Sequence, residues 1–425
     1  MAARIPLGRA WTVAQALINA VSDRVTEILP AGSLRRFNAT VGNISLLAVT
    51  SSPSELFDRL ATMPGVKILQ REPATSVVQF ERERVTFYTT APETAGAALV
   101  HYTGSSAHTH ELLRRARMRD LDIGPVGVRV LKTGEILPTQ SEGQVYDLLG
   151  LPFIVPELRE GQGEVDAAEA GTLPTLVERQ QIRGDLHMHS TWSDGRDDIE
   201  LMVRQSVALG YEYIAITDHS LSSAGAGGLT TERLRRQRRE VDEVRRRFPN
   251  IAILHGSEVD ILPDGSLDFP DAVLAELDIV LASLHDPAGQ SGNQLTERYL
   301  LTIQHPLVNI ITHPTNRLVG YRTGYDLDLP RLFEAAVATG TILEIDGAPM
   351  HLDMDGALAR RAVDAGVMVS IDSDCHRAES LDRQMLFGVA TARRGWCEAR
   401  HVLNTRPLSE LREILKRKRG TDGRR

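Results

Sequence analysis

The rhythm of hydrophobic positions changes partway along the chain. From Trp11 to Leu29 apolar residues recur at helical spacing (Val13, Leu17, Ala20, Val21, Val25, Leu29), which predicts one helix over that stretch. The alternating runs SLLAVTS and VVQFERERVTFYTT then predict strands. His108 to Met118 returns to a Leu- and Arg-rich helical pattern. This mixture points to an α+β first half. Residues 157–180 are polar, contain glycines and lack aromatics, so they are expected to form a linker.

Beyond that stretch, short and almost continuous apolar runs recur: GDLHMHS, YIAITDHS, IAILHGSEVDI, DIVLASLHD, NIITHPT, TILEIDG and VMVSIDSDCH. Helical segments separate them, among them Asp198 to Leu209, Thr231 to Phe248 and Leu329 to Gly340, and Leu408 to Arg419 closes the series. Apolar strands alternating with helices predict a parallel sheet covered on both faces. Their number approaches that of a closed α/β barrel.

The chain has 425 residues, is 42% hydrophobic and 24% charged, and carries a formal net charge of -8. That is enough apolar material for two cores, and nothing global advertises nucleic-acid binding. The two cysteines, Cys375 and Cys397, make no disulfide framework and fit a reducing compartment. No signal-like segment or membrane-length apolar run is present, so a soluble, cytoplasmic protein is expected. The arginines from Arg233 to Arg247 and the tail KRKRGTDGRR read as solvated charge rather than phosphate-binding surfaces.

Chemistry enters at the ends of the apolar runs. The first gives His187 and His189, with Asp194 just beyond. The second gives Asp218 and His219, and the third Glu258 and Asp260. The fourth and fifth give His285 and His313, and the last Asp374 and His376. Side chains two apart on a strand share a face, so His-x-His and Asp-x-His each aim two donors at one ion. Residues at the C-terminal ends of barrel strands converge on one pocket. This donor set exceeds a single tetrahedral site and implies more than one metal ion. His101, His108, His110, His255, His305, His351 and His401 lack that register and are expected to be structural or surface residues. Cys375 is expected to pack in the core.

The runs HMHSTWSDG, AITDHS, GSEVDILPDGSLDFPD, LASLHD, THPTNRL and IDSDCH resemble the polymerase and histidinol phosphatase (PHP) domain, in order, across residues 181–420. The resemblance implies a distorted (βα)7 barrel with three divalent ions: zinc, manganese or iron. By similarity His187, His189, Glu258 and Asp374 hold the first ion. Glu258 bridges to a second held by His285 and His313. Asp194, His219 and His376 hold the third. Arg317, in HPTNR, is expected to clamp a phosphate oxygen.

The first half resembles the palm and thumb of bacterial family X DNA polymerases. The matching text is RIPLG, AGSLRRFNATVGNISLLAVTS, YTGSSAHTHELLRRA and LLGLPFIVPELRE. This implies an α+β nucleotidyltransferase-like palm over 1–100 and a small thumb over 101–156. The lyase and fingers regions of that family are expected to be absent. The palm departs from the family at its core. Asn43 and Ser45 stand where the pattern has Asp-x-Asp, and Thr86 stands where it has a further Asp. Neutral oxygens hold a pair of divalent ions poorly, so loss of DNA synthesis is expected. Gly32, Ser33 and Arg36 are candidate phosphate contacts, though a structural turn is the favoured reading. The whole predicts a metal-dependent phosphoesterase acting on nucleic-acid 3′ ends, as a 3′-to-5′ exonuclease or 3′-phosphatase. The alternatives are a small-molecule phosphatase of histidinol-phosphatase type and a non-catalytic nucleic-acid-binding protein. Nucleic acid or nucleotide is the expected partner. No membrane partner is expected, and no protein partner can be named.

Overall fold

The computed structural model describes residues 4–419, which divide into two compact units with the boundary between Pro174 and Thr175. The first helix runs over Leu7–Val21 and buries Leu7, Ala10, Val13, Ala14, Leu17 and Val21. It stops short of the predicted Leu29. Glu27–Ala31 is instead a strand, paired antiparallel with Ile44–Val49. Val25 and Leu29 fell on the helical period by coincidence, and tertiary pairing outweighs that local signal. The five strands of this sheet lie in the order Glu27–Ala31, Ile44–Val49, Glu83–Thr90, Thr75–Phe80, Val66–Arg71. Ile44–Val49 and Glu83–Thr90 run parallel, and the other neighbours run antiparallel. Helices Pro53–Thr62, Ala95–Thr103, Ser106–Arg117, Glu142–Leu148 and Glu164–Glu169 and a two- and a three-stranded sheet are further parts of the unit.

The expected linker is not one over most of its length. Residues 157–174 belong to the first unit and are anchored in it by charge pairs. The fully buried Arg159 meets Glu142 at 2.6 Å, Arg36 meets Glu160 at 2.9 Å, and His108 Nδ1 lies 2.7 Å from Glu164 Oε1. The His108 Nε2 atom lies 2.9 Å from the Tyr146 hydroxyl. The segment is polar because its charges pair inside the fold, a possibility that composition alone does not separate from solvation. Residues 175–180 begin the second unit, where the Val177 N–H donates to the Cys397 carbonyl at 2.9 Å.

The second unit is a seven-stranded parallel barrel: β1 (Gly184–Asp185), β2 (Tyr213–Ile216), β3 (Ala252–Asp260), β4 (Ile279–Ser283), β5 (Ile310–Ile311), β6 (Ile342–Asp346) and β7 (Val369–Asp372). Each strand pairs with the next in sequence, and an isolated parallel bridge between Met188 and Cys375 joins the first to the last. The helices between them bury one stripe each. Thr231–Arg247 buries Leu234, Gln237, Val241 and Val244 and leaves its arginines outward. Strand parity divides the side chains into two cores. Ile214, Ile216, Val280, Ala282, Leu343 and Ile345 pack outward against helices. Tyr213, Ala215, Leu254, Ile279, Leu281 and Ile342 pack inward around Leu411 and Leu415 of the C-terminal helix Leu408–Arg419, which plugs one end. Continuing the inward parity toward the strand ends reaches His219, Glu258, His285 and Asp374, so the same alternation that builds the core aims donors at the barrel mouth. Residues 420–425 of the basic tail lie outside the described residues. Among the described residues no helix is long and apolar enough to cross a membrane.

Candidate metal centre

Glu258 sits at the middle of the barrel mouth, 1% exposed and surrounded by imidazoles. Its Oε1 lies 2.8 Å from His313 Nε2 and 3.3 Å from His285 Nε2. Its Oε2 lies 2.9 Å from His219 Nδ1, 3.4 Å from His187 Nε2 and 3.5 Å from His189 Nε2. Asp374 Oδ1 is 3.1 Å from His189 Nε2 and 3.6 Å from His187 Nε2. Asp194 Oδ1 is 3.2 Å from His376 Nε2 and 3.6 Å from His219 Nε2. Seven of the nine residues of the expected set line one cavity, and His187 and His189 lie buried beneath it, in contact with Glu258 and Asp374.

The donor set fits divalent ions. Ligands about 2.0–2.2 Å from a shared ion stand roughly 3–3.6 Å from one another, which is the spacing seen here. His187 Nε2 and His189 Nε2 lie 3.1 Å apart, a contact that a cation between two lone pairs explains. His189 Nδ1 and His313 Nδ1 are buried without a hydrogen-bond partner. Ligating atoms from His189, Asp194, His219 and His376, from His187, His189 and Asp374, and from His219, Glu258 and His285 each lie within 4.8 Å of one another.

Without ions these groups push on each other's protons. Burial works to lower the imidazolium of His285, yet Glu258 and Asp260 hold it up at about 9. Burial is likewise outweighed at His376, held at about 9 by Asp194 and Asp374. His189 goes the other way, pushed down to about 3 by burial and by His376 and His219. Burial would raise the Glu258 carboxyl, but His219, His285 and His187 keep it well below the ordinary carboxylate range. The surrounding carboxylates thus favour positive charge at His285 and His376.

A second layer fixes the ligands. Glu344 on β6 takes His187 Nδ1 at 2.7 Å, and its other oxygen accepts the His313 N–H at 2.8 Å. Asp260 holds His285 Nδ1 at 2.8 Å. Such carboxylate–imidazole pairs set the tautomer and leave the other ring nitrogen bare. Asp218, next to His219, is fully buried and faces the other way. It accepts the Ser190 N–H at 2.9 Å and the Ser190 hydroxyl at 2.6 Å, tying down the loop that carries Asp194. In that loop a Cβ on Gly195 would come 2.6 Å from the Ser190 backbone, so only glycine fits. His313 and Asp374 have positive φ, 25° and 48°, backbone strain of the kind that surrounding structure must hold at functional sites.

The expectation for Arg317 needs correcting. Its Nε donates to the His351 carbonyl at 2.9 Å, a second nitrogen donates to the Leu352 carbonyl, and a third meets Asp355 at 3.3 Å. The guanidinium straps down the loop after β6 and does not face the cavity. That loop brings in a residue set aside on sequence grounds. The ring of His351 stacks on His313 with centroids 5.2 Å apart. The cavity, 340 Å³, is lined by Asp194, His219, Glu258, His285, His313, His351, Asp374 and His376. Larger grooves on this unit show no such convergence: those of 590 and 620 Å³ carry scattered arginines and carboxylates, and one of 690 Å³ is lined by Pro330, Phe333 and Val337. Cys375 is buried and donates to the Arg377 carbonyl, away from the ligands.

Among the described residues of the first unit, the positions expected to belong to a palm form no comparable donor cluster. Asn43 Nδ2 donates to Ser45 Oγ at 2.9 Å, and Ser45 lies beside Thr86 in the parallel register. Gly32 and Ser33 start a four-residue helix, Gly32 with a φ of 60°. Arg36 is buried, bound to Glu160 at 2.9 Å and to the Thr103 carbonyl at 2.5 Å. The phosphate contact expected of Arg36 is replaced by a structural tie, because Glu160 returns to it from the segment read as linker.

Comparison with known proteins agrees with this architecture. The DNA polymerase beta thumb model matches residues 98–160, and the PHP domain model matches residues 185–327. The DNA polymerase/3′-5′ exonuclease PolX of Bacillus subtilis (strain 168) is 40% identical over 420 residues, 97% of this chain and 73% of that protein. A probable phosphatase of Thermoanaerobacter sp. (strain X514) is 28% identical over 247 residues, 55% of this chain and 95% of that protein. A probable phosphatase of Shewanella loihica is 34% identical over 182 residues, 40% of this chain and 68% of that protein.

Proposed function

The chain belongs to the PolX family, whose members join a family X polymerase module to a PHP domain, and on that premise we propose that it hydrolyses phosphodiesters at nucleic-acid 3′ ends. That it is a metal-dependent phosphoesterase follows from its family and its PHP domain. The finer reading, removal of 3′-terminal nucleotides or phosphates, rests on one observation. The thumb-like segment at 98–160 accompanies the barrel in one chain, as in a relative named for 3′-5′ exonuclease activity. Residues 1–100 are read as a palm that has lost synthesis.

We assign His187, His189, Glu258 and Asp374 to one ion, Glu258, His285 and His313 to a second, and Asp194, His219 and His376 to a third. Zinc, manganese and iron all suit mixed imidazole and carboxylate shells. Such ions, when bound, supply a nucleophilic water deprotonated near neutral pH and neutralise the phosphate oxygens. The chain's own share is geometric. Glu258 would be shared between two of the ions, and Glu344 and Asp260 set the tautomers of His187 and His285. The palm side chains Asn43, Ser45 and Thr86 hold no charge with which to bind a second pair of ions.

The test is one protein preparation under manganese with three substrates. We expect stepwise shortening of a 5′-labelled single strand, at least about 100-fold slower turnover of a small aryl phosphate, and no incorporation in primer extension; a 100-fold preference corresponds to about 2.7 kcal/mol of differential transition-state binding. Faster turnover of the aryl phosphate would favour the small-molecule phosphatase reading. Nucleotide incorporation would overturn the loss of synthesis.

A further inference from the structure

The cluster at the barrel mouth does not end with the nine residues. Asp346, His351 and Asp374 place one ligating atom each within 4.8 Å of one another, on the side of Asp374 toward the loop after β6. Three observations make this more than a chance grouping. Asp346 is fully buried, and while its Oδ1 accepts the Ala348 N–H at 2.6 Å, its Oδ2 has no hydrogen-bond partner. A buried carboxylate oxygen left bare is costly unless a proton or a cation meets it. His351 Nδ1 lies 3.1 Å from the Arg317 carbonyl, and a carbonyl can only accept, so Nδ1 carries the proton. The Nε2 atom is then left with its lone pair, the arrangement that backbone-backed metal ligands adopt. The loop is held by Arg317, which binds the His351 and Leu352 carbonyls, and by Asp353, which accepts the Thr315 N–H at 2.9 Å. His351 is thus fixed in place before any ion arrives.

We propose that Asp346, His351 and Asp374 form a fourth cation position, beside the three assigned above and sharing Asp374 with the first. The inference rests on that three-ion reading and extends it. Two carboxylates and one imidazole, with water completing the shell, suit a hard to borderline divalent ion such as manganese. It has three protein ligands, as the second and third positions have, and only one of them is an imidazole, so it fills last of the four. Because His351 lines the same cavity as His285, His313 and His376, the open positions of this ion face the space a substrate phosphate enters.

The experiment is titration of the metal-stripped full chain with manganese, followed by calorimetry and checked by elemental analysis after equilibrium dialysis. The wild type is expected to bind four equivalents, the last at least tenfold more weakly than the others. His351→Ala and Asp346→Asn are each expected to bind three, with the tight steps unchanged. Equal counts in wild type and both variants overturn the proposal. So does loss of more than one equivalent, which would make His351 and Asp346 supports for neighbouring ligands. If wild type and variants all bind three ions and hydrolyse substrate, the fourth position fails while the reading under Proposed function stands. If the wild type binds none, both fail.

Discussion

Glu258→Gln is expected to lower turnover at least about 10³-fold and to remove two ions from the protein. The argument is positional. One carboxylate reaches five imidazoles, Oε1 serving His313 and His285 and Oε2 serving His219, His187 and His189, all within 3.5 Å. Glutamine keeps the shape and one carbonyl oxygen, so packing survives. It removes the negative charge that holds two cations side by side, and its amide nitrogen cannot be a ligand. A loss of 10³ corresponds to about 4 kcal/mol of transition-state stabilisation, within reach of a single lost metal ion. Circular dichroism checks that the barrel is intact, and elemental analysis counts the ions. Activity within tenfold of wild type would show that Glu258 is not the bridge.

Removing the ions with a chelator is expected to abolish hydrolysis and to lower the melting transition of the barrel by roughly 10 °C. An ion present at a thousandfold its dissociation constant stabilises by about 4 kcal/mol. For a domain of this size each kcal/mol moves the transition by about 2–4 °C. The effect has a pH signature. In the stripped protein His285 and His376 hold their protons up to about 9, above the ordinary histidine value. That protonation stabilises the stripped barrel fully below about pH 6.5, and the contribution is lost as pH climbs through 9. Ion binding needs both rings neutral, so it releases their protons and strengthens over the same interval. The gap between loaded and stripped melting temperatures should therefore widen from pH 6.5 to 9. Calorimetry of both forms measures it. A gap that stays level or narrows would mean that these imidazoles are not ligands.

Much of the centre could be read from the sequence because strand parity and residue type coincide. The Glu of GSEVD on β3 and the DCH run after β7 stand where inward-facing positions reach the barrel mouth, and the HMH run after β1 shows its shared face by spacing alone, one residue off the inward register of Leu186. Two further residues of the centre are not legible in the sequence, one on the inward register and one in a loop beyond it. Glu344 sits mid-strand in ILEID and looks like an interruption of an apolar run. Only its distance to His187, 2.7 Å, shows it holding a ligand. His351 comes five residues after β6, in a loop whose path is set by contacts with Arg317, 34 residues away in sequence. Arg317 was misread for the same reason, since a guanidinium beside a ligand histidine suggests phosphate until the carbonyls it binds are seen. In the first unit the helical period ran on into Glu27–Ala31, where pairing with Ile44–Val49 decides the outcome. The charges of 157–174 looked solvated because their partners, His108, Arg115 and Glu142, are far away in sequence.

The central claim is that imidazoles and carboxylates drawn from every side of the barrel share cations at one mouth. Anomalous scattering at the manganese edge, from crystals of the metal-loaded protein, tests it most directly. The account predicts peaks within about 2.0–2.4 Å of His187, Glu258 and His376 donors, with Glu258 shared by two of them. Peaks confined to the surface, or none at the barrel mouth at saturating manganese, would contradict it.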